Sequence, residues 1–192
     1  MHTKIEAGTK ETLEKKFALL QEAQPTWQGI GLTKRIEIVK NFSVLLQEDI
    51  ESLALTLTNE VGKPLQQSRS EINGACNRIK WLAQNAEKYL SDETITLEEG
   101  LVETITYDPL GVICNISAWN YPYLVGVNVF IPALMAGNAV MYKPSEYATL
   151  TGLRIAALLQ RSGLPENVFL IAAGGKEAGE ILLDLSFDGY FF

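Results

Sequence analysis

Three short segments hold the residue types that could do chemistry: "SAWNYP" at 117–122, "KPSE" at 143–146 and "AGGKEAG" at 173–179. In the first, Asn120 stands alone between an apolar run and a long apolar stretch. A lone amide there is either a local helix cap or a hydrogen-bond donor aimed at a bound group. In the second, Lys143 and Glu146 lie three residues apart. An ammonium donor and a carboxylate acceptor at that spacing suit the hydroxyls of a sugar, or else form an exposed surface pair. In the third, Gly174, Gly175 and Gly179 open a helical segment whose amides could face a pyrophosphate, or make only a turn. The segment is not G-x-G-x-x-G, and no Lys-Ser or Lys-Thr pair follows Gly179 as a P-loop requires.

The elements that must position these segments are legible around them. "GVICNI", "NAVMYK", "NVFLIAA" and "DGYFF" are short apolar runs, separated by helical stretches. Continuous rather than alternating apolar strands, with helices between them, predict βαβ units and a parallel sheet. Ligands bind such sheets beyond the carboxyl ends of the strands, and all three polar segments fall there. The spacing predicts a helix after "KPSE", capped by Thr149 or Thr151, with Leu150, Leu153, Ala157 and Leu158 as its face and Gly163 and Pro165 at its end.

Upstream the pattern is helical. Leu13, Phe17 and Leu20 share a face, and the stretch from 34 to 62 repeats apolar residues at Ile36, Val39, Phe42, Leu45 and Leu46. Gly62 and Pro64 punctuate it, and a further helix over 65–89 carries Ile72, Cys76, Ile79 and Leu82. "ETITLEEGLVETITYDPLG" then alternates around Glu99 and Gly100, which predicts a β-hairpin. So small a ribbon is expected to lean on another chain or another part of a longer one. The organisation expected is a helical part over 1–93, the hairpin over 94–108 and the βαβ part over 109–192.

Composition narrows the function classes. The 192 residues are 47% hydrophobic and 20% charged, ordinary for a globular protein, with a net charge of −7 and scattered basic residues. A phosphate backbone needs clustered cations, so no nucleic-acid partner is expected. The longest apolar stretch is broken by Asn128 and Pro132 and is too short for a membrane span, so no membrane partner is expected either. Cys76 and Cys114 have no metal spacing, and a reducing cytoplasmic location is the simplest expectation. His2 is the one histidine, which disfavours Ser-His-Asp and Cys-His machinery in this chain, and Cys114 inside an apolar strand reads as an inert thiol. The chain stops directly after an apparent strand, so it is expected to be a fragment of a longer protein.

In order and spacing, "PLGVICNISAWNYPY", "PALMAGNAVMYKPSE", "SGLPENVF" and "DGYFF" resemble the aldehyde dehydrogenase superfamily, over most of residues 25–192; "EVGKP" among the helices is similar too. The resemblance implies a Rossmann-like coenzyme-binding domain preceded by helices and an oligomerisation hairpin, in an enzyme that assembles as a homo-oligomer. It implies oxidation of a small aldehyde to a carboxylate through a cysteine thioester, with NAD as cofactor. Asn120 matches the oxyanion-hole amide. Ile116, Ser117 and Trp119 match the wall near the nicotinamide. Lys143, Ser145 and Glu146 match the adenosine-ribose contacts, and Glu146 would repel a 2′-phosphate, which favours NAD over NADP. Gly175 and Gly179 match the loop and helix near the adenine and pyrophosphate, and Phe192 the adenine border. The common Pro-Trp-Asn-Phe-Pro appears here as Ala118-Trp119-Asn120-Tyr121-Pro122. Neither cysteine sits at the nucleophile's place, so these 192 residues alone are expected to be inactive. The alternatives are a non-catalytic nucleotide-binding or assembly module and part of a CoA-acylating relative.

Overall fold

The computed structural model describes residues 5–192; His2 lies outside them. Four helices come first: α1 (Lys10–Gly29), α2 (Leu32–Glu48), α3 (Ile50–Val61) and α4 (Leu65–Leu90). A hairpin of β1 (Glu93–Thr96) and β2 (Val102–Ile105) follows. The remainder alternates: β3 (Val112–Ile116), α5 (Pro122–Ala136), β4 (Ala139–Lys143), α6 (Thr149–Arg161), β5 (Phe169–Ile171), α7 (Lys176–Leu183) and β6 (Gly189–Phe191).

β3 to β6 form one parallel sheet in the order β5-β4-β3-β6. The chain winds from β3 outward through β4 to β5, then returns to the other side of β3. That reversal puts α7 on the opposite face of the sheet from α5 and α6. On one face α5 and α6 share a core with α2, α3 and α4, built around Trp27, Phe42, Phe130 and Tyr142. On the other, Leu13 and Leu20 of α1 pack with Cys114, Met141 and Leu182. The helices upstream of the hairpin are therefore part of the sheet's own core. The strands are Rossmann-like in order, and β3 and β4 at the centre are buried on both faces, hence their largely apolar runs.

Three local expectations are corrected. The helical stretch over 34–62 is not continuous: Asp49, at φ −93° and ψ 9°, separates α2 from α3, and its carboxylate accepts from Arg161 Nη1 at 2.7 Å. A short polar side chain favours such a break. The start of α6 is capped by neither Thr149 nor Thr151. Instead, Glu60 accepts the backbone N–H groups of Leu150 and Thr151 at 2.6 and 2.7 Å, and the Thr151 hydroxyl at 2.7 Å. The buried face of α6 is Thr151, Gly152, Ile155, Leu158 and Leu159, while Leu150, Leu153 and Ala157 are exposed. Gly152 sets that rotation. A Cβ there would lie 2.7 Å from the Pro144 ring, so only glycine lets α6 approach the end of β4 so closely.

Every residue of β1 and β2 is exposed, including Ile95, Val102 and Ile105. Among the described residues, no helix is long and apolar enough to cross a membrane.

Candidate active site

The site is built at the carboxyl edge of β3 and β4. β3 ends at Ile116, whose side chain packs on the α1/α7 side, and the Ser117 N–H extends the ladder by donating to the Lys143 carbonyl at 2.9 Å. Among the described residues the buried Ser117 hydroxyl has no hydrogen-bond partner, nor do the Asn115 amide and the Tyr123 hydroxyl nearby in sequence. The chain then emerges: Ala118, Trp119, Asn120 and Tyr121 are exposed before α5 dives back at Pro122.

α5 explains what Asn120 is not. Of its fifteen residues only Asn128 is exposed, so water cannot serve its ends and their orphan backbone groups need protein partners. At the C-terminal end the carbonyls of Leu134, Met135 and Gly137 accept from Trp27 Nε1, Arg35 Nε and Gln24 Nε2 at 3.0, 2.8 and 3.0 Å. At the N-terminal end Glu71 Oε1 accepts from the backbone N–H of Tyr123 at 2.7 Å and of Leu124 at 3.4 Å. Carboxylate at the start and guanidinium at the end also match the helix dipole. The local-cap alternative for Asn120 is thereby excluded. Among the described residues its side-chain amide makes no hydrogen bond, although its carbonyl accepts from Lys63 Nζ at 2.6 Å.

Glu71 is buried on α4 and paired with Lys63 from the α3–α4 turn. Burial pushes its carboxyl above the usual carboxylate range; Lys63 and the two α5 amides pull it back part of the way. Lys63 Nζ also lies 4.2 Å from the centroid of the Tyr121 ring. Sequence reasoning missed Glu60, Lys63 and Glu71. One signal was present: Glu71 shares a face with Ser68, Ile72, Ala75 and Ile79, and a carboxylate on a buried stripe needs a partner.

Lys143, the last residue of β4, is buried rather than exposed. Its side chain runs toward α7, with Cε 3.6 Å from where a Cβ on Gly179 would stand. Among the described residues its amine has no ion-pair or hydrogen-bond partner, so it is not half of a surface pair with Glu146. Glu146 is exposed in the 3-10 turn Glu146–Ala148 and receives only a long bond from Ser145 Oγ, at 3.4 Å. Ser145 Oγ in turn accepts from Tyr147 N at 3.3 Å. Gly175 precedes α7 directly and Gly179 sits within it, while the left-handed turn falls on Gly174, at φ +138°.

A cavity of about 340 Å³ separates Glu146 from Ala173 and Gly174, and a second of about 320 Å³ lies between Trp119 and Tyr147. Glu60 lines both, so the two cavities are neighbours at the sheet edge. The fold thus brings Trp119, Asn120, Lys143, Glu146 and the Gly174 turn to one edge. It does not bring Phe192 beside Gly175, because β6 and β5 are outer strands on opposite sides of β3 and β4. A buried ammonium at the end of β4, an exposed carboxylate and a glycine turn on one sheet edge fit the ribose and pyrophosphate of a dinucleotide.

Neither thiol faces this edge. Cys114 lies in the α1/α7 core, its pKa pushed up to about 12 by burial, and Cys76 donates weakly to the Ser43 carbonyl in the α2–α4 groove. Among the described residues no cluster of His, Cys, Asp and Glu could hold a metal ion.

Comparison with known proteins gives a consistent result. A sequence model described as the aldehyde dehydrogenase family matches residues 1–186. N-succinylglutamate 5-semialdehyde dehydrogenase of Novosphingobium aromaticivorans is 30% identical over 176 residues, which are 92% of this chain and 37% of the relative. The crystal structure of NAD-dependent aldehyde dehydrogenase from Sinorhizobium meliloti superposes with a TM-score of 0.86 at 27% identity, over 92% of this chain and 36% of that one. NADP-dependent glyceraldehyde-3-phosphate dehydrogenase from Bacillus halodurans C-125, solved with NADP, gives 0.86 at 26% identity, over 93% and 39%. The chain therefore spans well under half the length of these proteins.

Proposed function

Since this chain belongs to the aldehyde dehydrogenase family, we propose that it forms part of an NAD-dependent enzyme that oxidises a small aldehyde to a carboxylate through a cysteine thioester, with Asn120 as an oxyanion donor. The observation that carries the role of Asn120 is its uncommitted amide. Its backbone carbonyl is held and the neighbouring helix is capped from elsewhere, yet among the described residues its side-chain N–H donors have no partner at the exposed edge. Attack of a thiolate on an aldehyde places negative charge on the former carbonyl oxygen. An amide N–H that meets this charge stabilises it, and losing such a donor typically slows turnover about 10²–10³-fold.

A nicotinamide cofactor, when bound, supplies the two-electron oxidant for the aldehyde carbon. Lys143 would donate to its ribose hydroxyls and Glu146 would accept from them, with Ser145 between. Ile116, Ser117 and Trp119 would form the wall near the nicotinamide, and Gly175 and Gly179 would lie by the pyrophosphate. The exposed carboxylate of Glu146 favours NAD over NADP, since a 2′-phosphate there meets like charge. The nucleophile and general base would come from segments other than these 192 residues, since both thiols are turned away from the edge. The hairpin is exposed throughout, Ile95, Val102 and Ile105 included, which supports a homo-oligomer, and cysteine usage supports a cytoplasmic location.

The test is aldehyde-dependent NADH formation by the polypeptide that the whole reading frame encodes. Turnover with NAD is expected there and not with residues 1–192 alone. No aldehyde oxidation by the whole polypeptide, across short aliphatic and semialdehyde substrates, contradicts the reading.

A further inference from the structure

Among the described residues, six side-chain ion pairs are present, and five have a substantially exposed member. The sixth, Lys63–Glu71, has side chains only 12% and 0% exposed. Removing two charges from water is costly, and apolar residues of similar volume often stabilise a core as well or better. Apolar residues could not hold what this pair holds. Lys63 Nζ donates to the Asn120 carbonyl and lies over the Tyr121 ring, and Glu71 accepts the amides of Tyr123 and Leu124. Four of the five residues from 120 to 124 are engaged by one pair, while the Asn120 side chain itself is left out. Lys63 and Glu71 come from the α3–α4 hairpin, on a rigid helical scaffold outside the βαβ units. From the same hairpin Glu60 caps α6, the helix that follows the Lys143 loop.

We propose that Lys63 and Glu71 are positioning residues for Asn120: their ion pair holds the main chain on both sides of that residue, which fixes the point from which its side-chain amide reaches the substrate oxygen. The inference rests on the reading of Asn120 as the oxyanion donor. Its physical content is preorganisation. A donor stabilises developing charge fully only if it does not have to move, and a misplacement of about 1 Å can slow turnover roughly 10²-fold.

The test uses the whole encoded polypeptide and a double-mutant cycle. The clamp variant is Lys63→Met combined with Glu71→Gln. It leaves no lone buried charge and keeps an acceptor for the Tyr123 amide, so it tests the pair without removing the helix cap. In the wild-type background this variant should lower kcat about tenfold or more while the KM for NAD stays within about twofold. In an Asn120→Ala background it should lower kcat by less than about twofold, since there is no amide left to position. Lys63→Arg, which retains a donor, should recover a measurable part of the loss. A general structural role would reduce kcat equally in both backgrounds, and that result, or unchanged kcat in the first, overturns the proposal. The underlying reading fails separately. If Asn120→Ala leaves kcat unchanged, Asn120 is not the donor. Backbone hydrogen exchange then decides the clamp itself: the clamp variant should speed exchange at residues 120–124 and not at 150–155. Unchanged exchange at 120–124 overturns the positioning role whatever the activity.

Discussion

Glu71 Oε1 accepts the backbone N–H of Tyr123 at 2.7 Å, so the helix that begins beside Asn120 is capped by a carboxylate 52 residues upstream. That bond separates two tasks which one amide in "SAWNYP" could have performed. The capping falls to Glu71, and the Asn120 side chain remains available for a ligand.

Removing the cap should be costly to the fold. Glu71→Ala strands Lys63 without its partner and leaves the Tyr123 and Leu124 amides unpaired beside the core. Breaking a buried pair from one side typically costs about 3–5 kcal/mol, and partial access of Lys63 to water places this case near the lower end. Urea unfolding should show a loss of about 3 kcal/mol; a loss below about 0.5 kcal/mol would mean that the bond is not formed in solution.

Glu60 offers a second, independent cap. Its carboxylate accepts three donors at the start of α6. Glu60→Ala should cost about 1–2 kcal/mol by the same measurement. Glu60→Gln should cost less, because an amide oxygen still accepts although the charge complementing the helix dipole is gone. Equal losses for the two would show that charge, not hydrogen bonding, dominates there.

The fold class was legible because β3 and β4 are buried on both faces and therefore read as unbroken apolar runs. The candidate edge was legible too, since strand ends in a parallel sheet all point one way. The caps were not. Glu60 and Glu71 act over 90 and 52 residues of sequence, and nothing local in "NEVGKP" or "SRSEING" says which helix they will meet. The face of α6 was misread for a related reason. Leu150, Leu153, Ala157 and Leu158 fit a helical stripe, but contact of Gly152 with Pro144 turns the helix so that only Leu158 of the four is buried. Burial of Lys143 was equally invisible, because a lysine at a strand end reads as exposed until α7 is seen to cover it.

Thiol chemistry gives a pH-dependent prediction. Burial pushes the Cys114 pKa up to about 12, well above the usual thiol range, with the Lys143 charge opposing. A raised folded value means that this thiol's contribution to stability is fully present below the unfolded pKa and is lost as pH rises from there toward about 12. At pH 8 a disulfide reagent should leave Cys114 unmodified in the native protein and label it only in denaturant. Burial also raises the Cys76 pKa, and this half-buried thiol should react slowly. Prompt native labelling of Cys114 would contradict its place in the α1/α7 core.

Cofactor choice can be read from Glu146. Glu146→Gln removes an acceptor for the ribose of NAD and also removes repulsion of a 2′-phosphate. In the whole polypeptide it should therefore weaken NAD binding more than NADP binding, by equilibrium titration of each. Equal weakening would exclude contact of Glu146 with the ribose.

The central claim, that Asn120 is an oxyanion donor, is tested most directly by kcat of Asn120→Ala in the whole encoded polypeptide, measured with saturating aldehyde and NAD. The expected fall is about 10²–10³-fold, roughly 3–4 kcal/mol of transition-state stabilisation, with little change in the KM for NAD. A kcat within about twofold of wild type would contradict the claim.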